Sequence, residues 1–566
     1  MQRYSLRTLG PRGRWIAAAV VLALVLAAAG VIGLAGRSGD GATPDGTAAQ
    51  SGGGPSEAPK SFSRPEGASQ FRPSYHLTPA KEWMNDPQRP FLLDGVWHYY
   101  YLYNADHPEG NGTEWFHVTS KDLVHWTDEG VAIEKFKNGL GDIETGSAVV
   151  DQDNTAGFGK GAVVAIITQQ DNGVQRQSLF YSTDKGYTFK AAEGNPVMDN
   201  PGAQHWRDPK IIRDEARGQW VMALAEGEKI GLYTSRNLRD WRYESGFERK
   251  GLGILECPDL FQLDLDGDPA KRTWVLAVSA NGTEEGRTTG VAYWTGTFDG
   301  TKFTPADEKH QWLDAGADFY AAVTWDDPRL RANERMAFRH AIGWMNNWTY
   351  ARKLPTADWQ GGADSIVRDI RLKTVQGRPA LVSTPTPALS TLEGEAQTAG
   401  GRPLTPDGAG ELPVPESGAY RLDVTVERAP GDDGTEALLK LGNGGTDYAT
   451  VGYNFETGTA WVERAAVAPG AEALGPLFTD RRSAQSPPRS GSQQGNTGSP
   501  KNGSVDLTVF VDYSSVEVFV NGGEQTLTSV VLPKPGQPAV SAATAGGKLT
   551  LKSFKYAPLA TVVGAR

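Results

Sequence analysis

The sequence predicts an all-β chain, a five-bladed β-propeller followed by a β-sandwich, and three observations lead there. Helical periodicity is scarce over residues 74–372, where Gly, Asn and Asp turns interrupt short apolar-aromatic runs. Within that span one strand pattern recurs five times, and a turn-and-aromatic pattern trails the first four copies. Beyond residue 372 the pattern changes to period-2 alternation, as antiparallel strands with one buried face require.

The five strand copies lie at residues 96–101, 162–167, 219–224, 273–278 and 339–344. The trailing elements lie at 120–126, 182–189, 235–241 and 296–303, each a Ser, Asp, Asn or Gly turn ending on Trp or Phe. A unit of roughly 50 to 65 residues suits a four-stranded propeller blade around a central channel. A pair of β-sandwiches is the alternative. On this reading the propeller spans residues 71–373 and a Pro-containing connector spans 374–390. A β-sandwich over 391–560 follows, with strands at 420–426, 507–512 and 515–520. Gly, Ser, Pro and Gln rise sharply over 465–503, which reads as a mobile insertion.

Arg3, Arg7, Arg12 and Arg14 precede an apolar run over residues 15–35, so 1–36 reads as a signal peptide or an N-terminal membrane anchor that places the rest outside the cytoplasm. Residues 37–70 read as a disordered Gly/Ser/Pro/Ala linker. The formal net charge of -11 repels phosphate backbones and anionic lipid, so nucleic acid is excluded as a partner and any membrane contact falls to the anchor. Cys257 is the only cysteine, which rules out an intramolecular disulfide.

Three motifs at long intervals each set an acid within two positions of a proline: Asp86 before Pro87, Asp208 before Pro209, and Glu256 ahead of Cys257 and Pro258. Each precedes the aromatic strand of its own unit by about 10 to 17 residues, where an innermost strand would deliver it to the channel. Singly, an Asp-Pro pair is an ordinary turn. Their common place in the repeat reads instead as one site, because carboxylates are costly to bury without a use. Retaining cleavage of a glycosidic bond needs a nucleophilic carboxylate and a protonated acid about 5 to 5.5 Å apart. Asp86 suits the first role. Glu256 suits the second if desolvation raises its pKa, and Arg207 is expected to keep Asp208 charged to stabilise positive charge on the ring.

With the segments 146–148, 318–322 and 344–348, these motifs are similar to glycoside hydrolase family 32, the β-fructofuranosidases, levanases, inulinases and invertases. The resemblance implies Asp86 as nucleophile, Asp208 as transition-state stabiliser and Glu256 as acid/base, without metal or organic cofactor. It also implies substrate contacts from Trp83, Asn85, Gln88, Trp115, Thr145, Gly146, Ser147, Arg207 and Phe319. Glu114 and His117 are lesser candidates. Gln88-Arg89 stands where Asn-Gly is usual, and Thr145 where Ser is usual. That form resembles bacterial levan-active members and turns the expectation from sucrose toward levan, with Arg89 bracing its loop. The implied activity is an exported, retaining fructan hydrolase. A levan fructotransferase and a non-catalytic fructan-binding surface protein are the alternatives. The acidic run 264–268 is too short for a calcium loop and reads as a hairpin turn.

Overall fold

The computed structural model describes residues 60–61, 70–107, 112–356, 359–360, 362–489 and 502–562. The expected signal or anchor over 1–36, and the expected linker apart from Lys60, Ser61 and Gln70, lie outside the described residues. Lys60–Ser61 is a short strand against Thr127 and Asp128, so that part of the linker is structured. Among the described residues no helix is long and apolar enough to cross a membrane.

Five antiparallel sheets form the propeller. Their inner strands are Trp83–Leu93, Asp142–Asp151, Arg207–Asp214, Leu255–Asp264 and Tyr320–Trp325. Each inner strand contacts the next, and the fifth contacts the first, so the ring closes by packing while the edge of each inner strand lines the channel. The five apolar-aromatic repeats are the second strands: Val96–Asn104, Ala162–Asp171, Gln219–Ala225, Arg272–Ala280 and Arg339–Met345. Their unbroken apolar character follows from burial on both faces. In blade 2, Val164 and Ile166 pack against Trp220, Met222 and Leu224 of blade 3, whereas Val163, Ala165 and Ile167 pack against Tyr100, Leu102 and Trp115 of blade 1.

The trailing elements are turns stapled by their own side chains. Leu123 N donates to Ser120 Oγ at 2.8 Å and His125 N to Asp122 Oδ1 at 2.8 Å. Ser182 with Asp184 and Ser235 with Asn237 make equivalent bonds at the same place in blades 2 and 3. Such side-chain bonds compete with ladder pairing and therefore end strands. The run 264–268 joins the first two strands of blade 4, as a hairpin turn should.

Blade 5 runs past residue 373. Its outer strand, Arg378–Pro385, pairs with Arg368–Val375 across a turn at Gln376 and Gly377, both with positive φ. Pro379 and Pro385 make this edge strand look like connector in sequence, yet both are tolerated there because an edge has no second ladder to supply. The turn Pro387–Leu392 then leads into a sandwich of one six-stranded and one five-stranded sheet. Part of the expected insertion over 465–503 is ordered. Helix Pro476–Thr479 buries Phe478, and Arg482–Gln485 adds a strand beside Thr459–Arg464. The compositional signal misled because one aromatic anchors this polar stretch. Residues 490–501 lie outside the described residues.

A buried ionic network fastens sandwich to propeller. Arg368 donates to Asp314 Oδ2 at 2.8 Å and to Glu517 Oε2 at 2.5 Å, and Arg464 donates to Asp318 Oδ2 at 2.5 Å. His76 lies between Asp512 (2.8 Å) and Glu517 (2.9 Å), with all three side chains fully buried. Burial alone would lower its pKa, but the hydrogen bonds and charges of the two carboxylates outweigh it and raise the value to about 9. A histidine with a raised folded pKa stabilises fully below its unfolded value, about 6.5, and the contribution disappears as pH rises through about 9. That contribution is on the order of 3 kcal/mol. The wild type should therefore lose melting temperature relative to His76→Gln between about pH 6.5 and pH 9. A gap between the two that ignores pH across that window would show His76 to be uncharged.

Candidate active site

All five inner strands break register near their N-terminal ends. The ladder slips between Asn85 and Pro87, Ile143 and Gly146, Arg207 and Lys210, Glu256 and Asp259, and Tyr320 and Val323. Asp208 (φ 64°), Cys257 (φ 45°) and Ala321 (φ 49°) adopt left-handed backbone inside these bulges. Such strain in non-glycine residues persists only where the surroundings enforce it. Pro87, Pro209 and Pro258 sit in or directly after the irregular positions, where the missing N–H costs no ladder bond.

The bulges of blades 1 to 4 open on a cavity of about 360 Å³ whose wall includes Asp86, Asp208 and Glu256. Asp86 Oδ1 accepts from Asn85 Nδ2 at 3.0 Å, and Oδ2 accepts from Thr145 Oγ1 at 2.8 Å. Asn85 is itself held by Trp83 Nε1 at 2.8 Å. Asp208 Oδ2 accepts from the Cys257 backbone N–H at 2.9 Å, and the Asp208 N–H donates to Thr168 Oγ1 at 2.9 Å. The Cys257 thiol lies 3.6 Å from Asp86 Oδ2 and 3.7 Å from Asp208 Oδ2, joining two of the acids through one residue. Glu256 accepts from Arg207 Nη2 at 2.8 Å on one oxygen and from Tyr320 OH at 2.5 Å on the other.

Burial pushes the Asp86 carboxyl above its ordinary range, with the charge of Glu256 adding to the rise and Asn85 and Thr145 opposing it. Burial likewise raises Asp208 to about 7, against the pull of Arg207 and with the push of Glu256 and Asp86. Arg207 therefore does not hold Asp208 low as its place in sequence suggests. Its guanidinium turns to Glu256, leaving Nε 4.0 Å from Asp208.

Of the residues expected to touch substrate, Trp83, Asn85, Thr145 and Arg207 line the cavity. The others stand behind it. Gln88 is buried and ties blade 1 to blade 2, donating to the Asp86 carbonyl at 2.9 Å and accepting from Gly146 N at 2.9 Å. Gly146 is required by packing, since a Cβ there would lie 2.3 Å from the Ile166 carbonyl oxygen. Ser147 Oγ bridges to blade 3, donating to Pro209 O and accepting from Ile211 N, both at 2.9 Å. Trp115 is blade core, stacked on Tyr100, and Phe319 packs under Arg368 and against Gly343. Glu114 and His117 are buried, His117 stacking on His98 and Tyr100. Arg89 braces, donating to Ile211 O at 3.1 Å.

Sequence reading missed Glu144, Tyr320 and the rim pair Trp348 and Arg352. Glu144 precedes Thr145 and the recognised segment 146–148, and Tyr320 lies within 318–322, so their position in a bulged inner strand was the available signal. Asp86, Asp208 and Glu256 on one polar cavity, with Arg207 beside them and the Tyr320 phenol bonded to Glu256, can transfer protons and stabilise positive charge on a bound polyol, as glycosidic bond cleavage demands.

Comparison with known proteins agrees with that chemistry. A levanbiose-producing levanase of Bacillus subtilis is 41% identical over 493 residues, 86% of this chain and 90% of that protein. A levanbiose-producing levanase of Geobacillus stearothermophilus is 52% identical over 310 residues, 54% of this chain and 78% of that protein. The crystal structure of exo-inulinase from Aspergillus awamori superposes with a TM-score of 0.77 at 29% identity, covering 87% of this chain and 99% of that one. Residues 76–385 match the N-terminal domain and residues 388–558 the C-terminal domain of glycosyl hydrolases family 32, and the chain belongs to that family.

Proposed function

We propose that the protein is an exported hydrolase of β-fructofuranosidic bonds in fructans, levan above all, working with retention of configuration. The observation that carries this reading is the convergence of Asp86, Asp208 and Glu256 from three blades on one cavity. The preference for levan is supported by the relatives named as levanases. Export is supported by the basic-then-apolar sequence over residues 3–35 and by relatives named as extracellular exo-inulinases.

In the first step an Asp86 oxygen attacks the anomeric carbon of a fructosyl unit. The glycosidic bond breaks, and the leaving oxygen takes its electron pair together with the proton of Glu256. Asn85 and Thr145 fix the two oxygens of Asp86, which orients the nucleophile. Asp208, anchored by the Cys257 N–H, presents a carboxylate to the ring as positive charge develops. In the second step Glu256 takes a proton from water, the water oxygen attacks the same carbon and Asp86 is released.

Asp86→Asn should lower kcat/KM on levan by at least a thousand-fold with little change in melting temperature. Activity within a few-fold of wild type would remove Asp86 from the nucleophile role. Glu256→Gln should slow levan much more than a fructoside with an activated leaving group, which needs no proton. Equal losses on both would contradict the acid role.

Product analysis on levan tests the reaction itself: free fructose or levanbiose is expected, and a cyclic difructose anhydride would show transfer instead of hydrolysis. The raised pKa of Asp208 has a separate consequence. Its stabilising contribution is present below the unfolded carboxylate value, about 4, and disappears as pH rises through about 7. The melting temperature of Asp208→Asn should gain on the wild type between those values, and a constant offset would show that Asp208 is ionised throughout.

A further inference from the structure

The cavity wall holds more than the three acids with Trp83, Asn85 and Arg207, which are enough to surround the sugar unit that is cleaved. Blades 1 and 2 add Asn104, Thr113, Asp142, Glu144, Gln170 and Gln175, a shelf of six side chains that can all hydrogen-bond. An apolar or aromatic ligand would leave such a wall unsatisfied, whereas a second polyhydroxylated ring satisfies it.

Glu144 is central to that shelf. The bulge between Ile143 and Gly146 turns it into the cavity beside Thr145, which holds Asp86. One of its oxygens meets Gln175 Nε2 at 3.3 Å, a long bond. Gln175 is fixed in turn, because its Oε1 accepts from Trp206 N at 2.9 Å. Enclosure, with the charges of Asp142 and Asp208 adding to it, pushes the Glu144 carboxyl well above its ordinary range. A neutral carboxyl both donates and accepts, which suits a pair of sugar hydroxyls.

Resting on the fructan-hydrolase reading, we propose that Glu144 is a specificity-determining residue that binds hydroxyls of the sugar unit next to the one being cleaved. The chemistry it recognises is a vicinal polyol carried on the leaving group.

The test compares levantriose, whose leaving group is a sugar, with methyl β-fructofuranoside, whose leaving group is not. Glu144→Leu should raise KM for levantriose about tenfold or more, the cost of one or two lost hydrogen bonds, and leave kcat/KM on the methyl fructoside within about threefold. Glu144→Gln, which keeps a donor and an acceptor, should stay within about threefold of wild type on both. If Glu144→Leu lowers the melting temperature, Glu144→Ala, which adds no bulk, is read in its place. Equal losses on the two substrates, or an unchanged KM for levantriose, would overturn the assignment. A wild-type protein that cleaves neither substrate would sink the fructan reading and this inference together, an outcome distinct from the other two.

Discussion

The side-chain alternation of a β-strand is the constraint around which this site is built. In a regular strand, neighbours in sequence point to opposite faces, so only one of any two consecutive residues can reach the channel. A bulge lifts that restriction locally. Here it occurs in every inner strand at the same end, and the cavity wall accordingly contains consecutive pairs: Asn85 with Asp86, Glu144 with Thr145, and Arg207 with Asp208. Each pair joins an acid to a neighbour that can position or polarise a carboxyl. Three strands thus supply more functional groups to the cavity than three regular strands could.

Strained backbone at Asp208, Cys257 and Ala321 has to be held by rigid surroundings. Closure of the ring supplies part of that rigidity, and the bonds behind the site supply more. Gln88 and Ser147 tie blade 1 to blade 2 and blade 2 to blade 3 immediately beneath Asp86 and Asp208. The sandwich contributes from the other side. Asp314 and Asp318, which flank the entry to the fifth inner strand, are gripped by Thr528, Val530 and Arg464. Five buried charges of that network, Asp314, Arg368, Glu517, His76 and Asp512, would each be costly alone, so removing one partner costs more than the intact network contributes. The sandwich therefore braces the approach to the strand that carries Tyr320, the phenol bonded to Glu256.

The blades were legible in sequence because their second strands are buried on both faces, which leaves an unmistakable apolar run such as that of Ala162–Asp171. The three acids were legible because proline marks the bulges. Edge and satellite pieces were not: Arg378–Pro385 carries two prolines, and the ordered stretch around Phe478 buries little more than that ring and the scattered Ala468, Ala471 and Leu474. Within the site, sequence placed the motifs but could not separate wall from scaffold. Gln88, Gly146, Ser147 and Phe319 lie in or beside recognised segments and are still absent from the cavity wall, as is Trp115, because which residues reach the wall depends on where each ladder slips. Glu144 went unseen for the same reason. One residue out of register, it would point into the blade.

Charge balance adds a last step. Asp86, Asp208 and Glu256 share the cavity with Arg207, and in the free site that guanidinium is bonded to Glu256. The charge of Glu256 is one of the influences that raise both aspartates. Placing a proton on Glu256 removes that influence, so the aspartates ionise more readily when Glu256 is protonated. On the proposed roles this is the state that chemistry needs: acid protonated, nucleophile and stabiliser charged. Two bare carboxylates in a buried cavity are then poorly solvated by neutral hydroxyls alone. They gain most from a ring that has become positive, so the repulsion that burdens the empty site becomes attraction in the transition state.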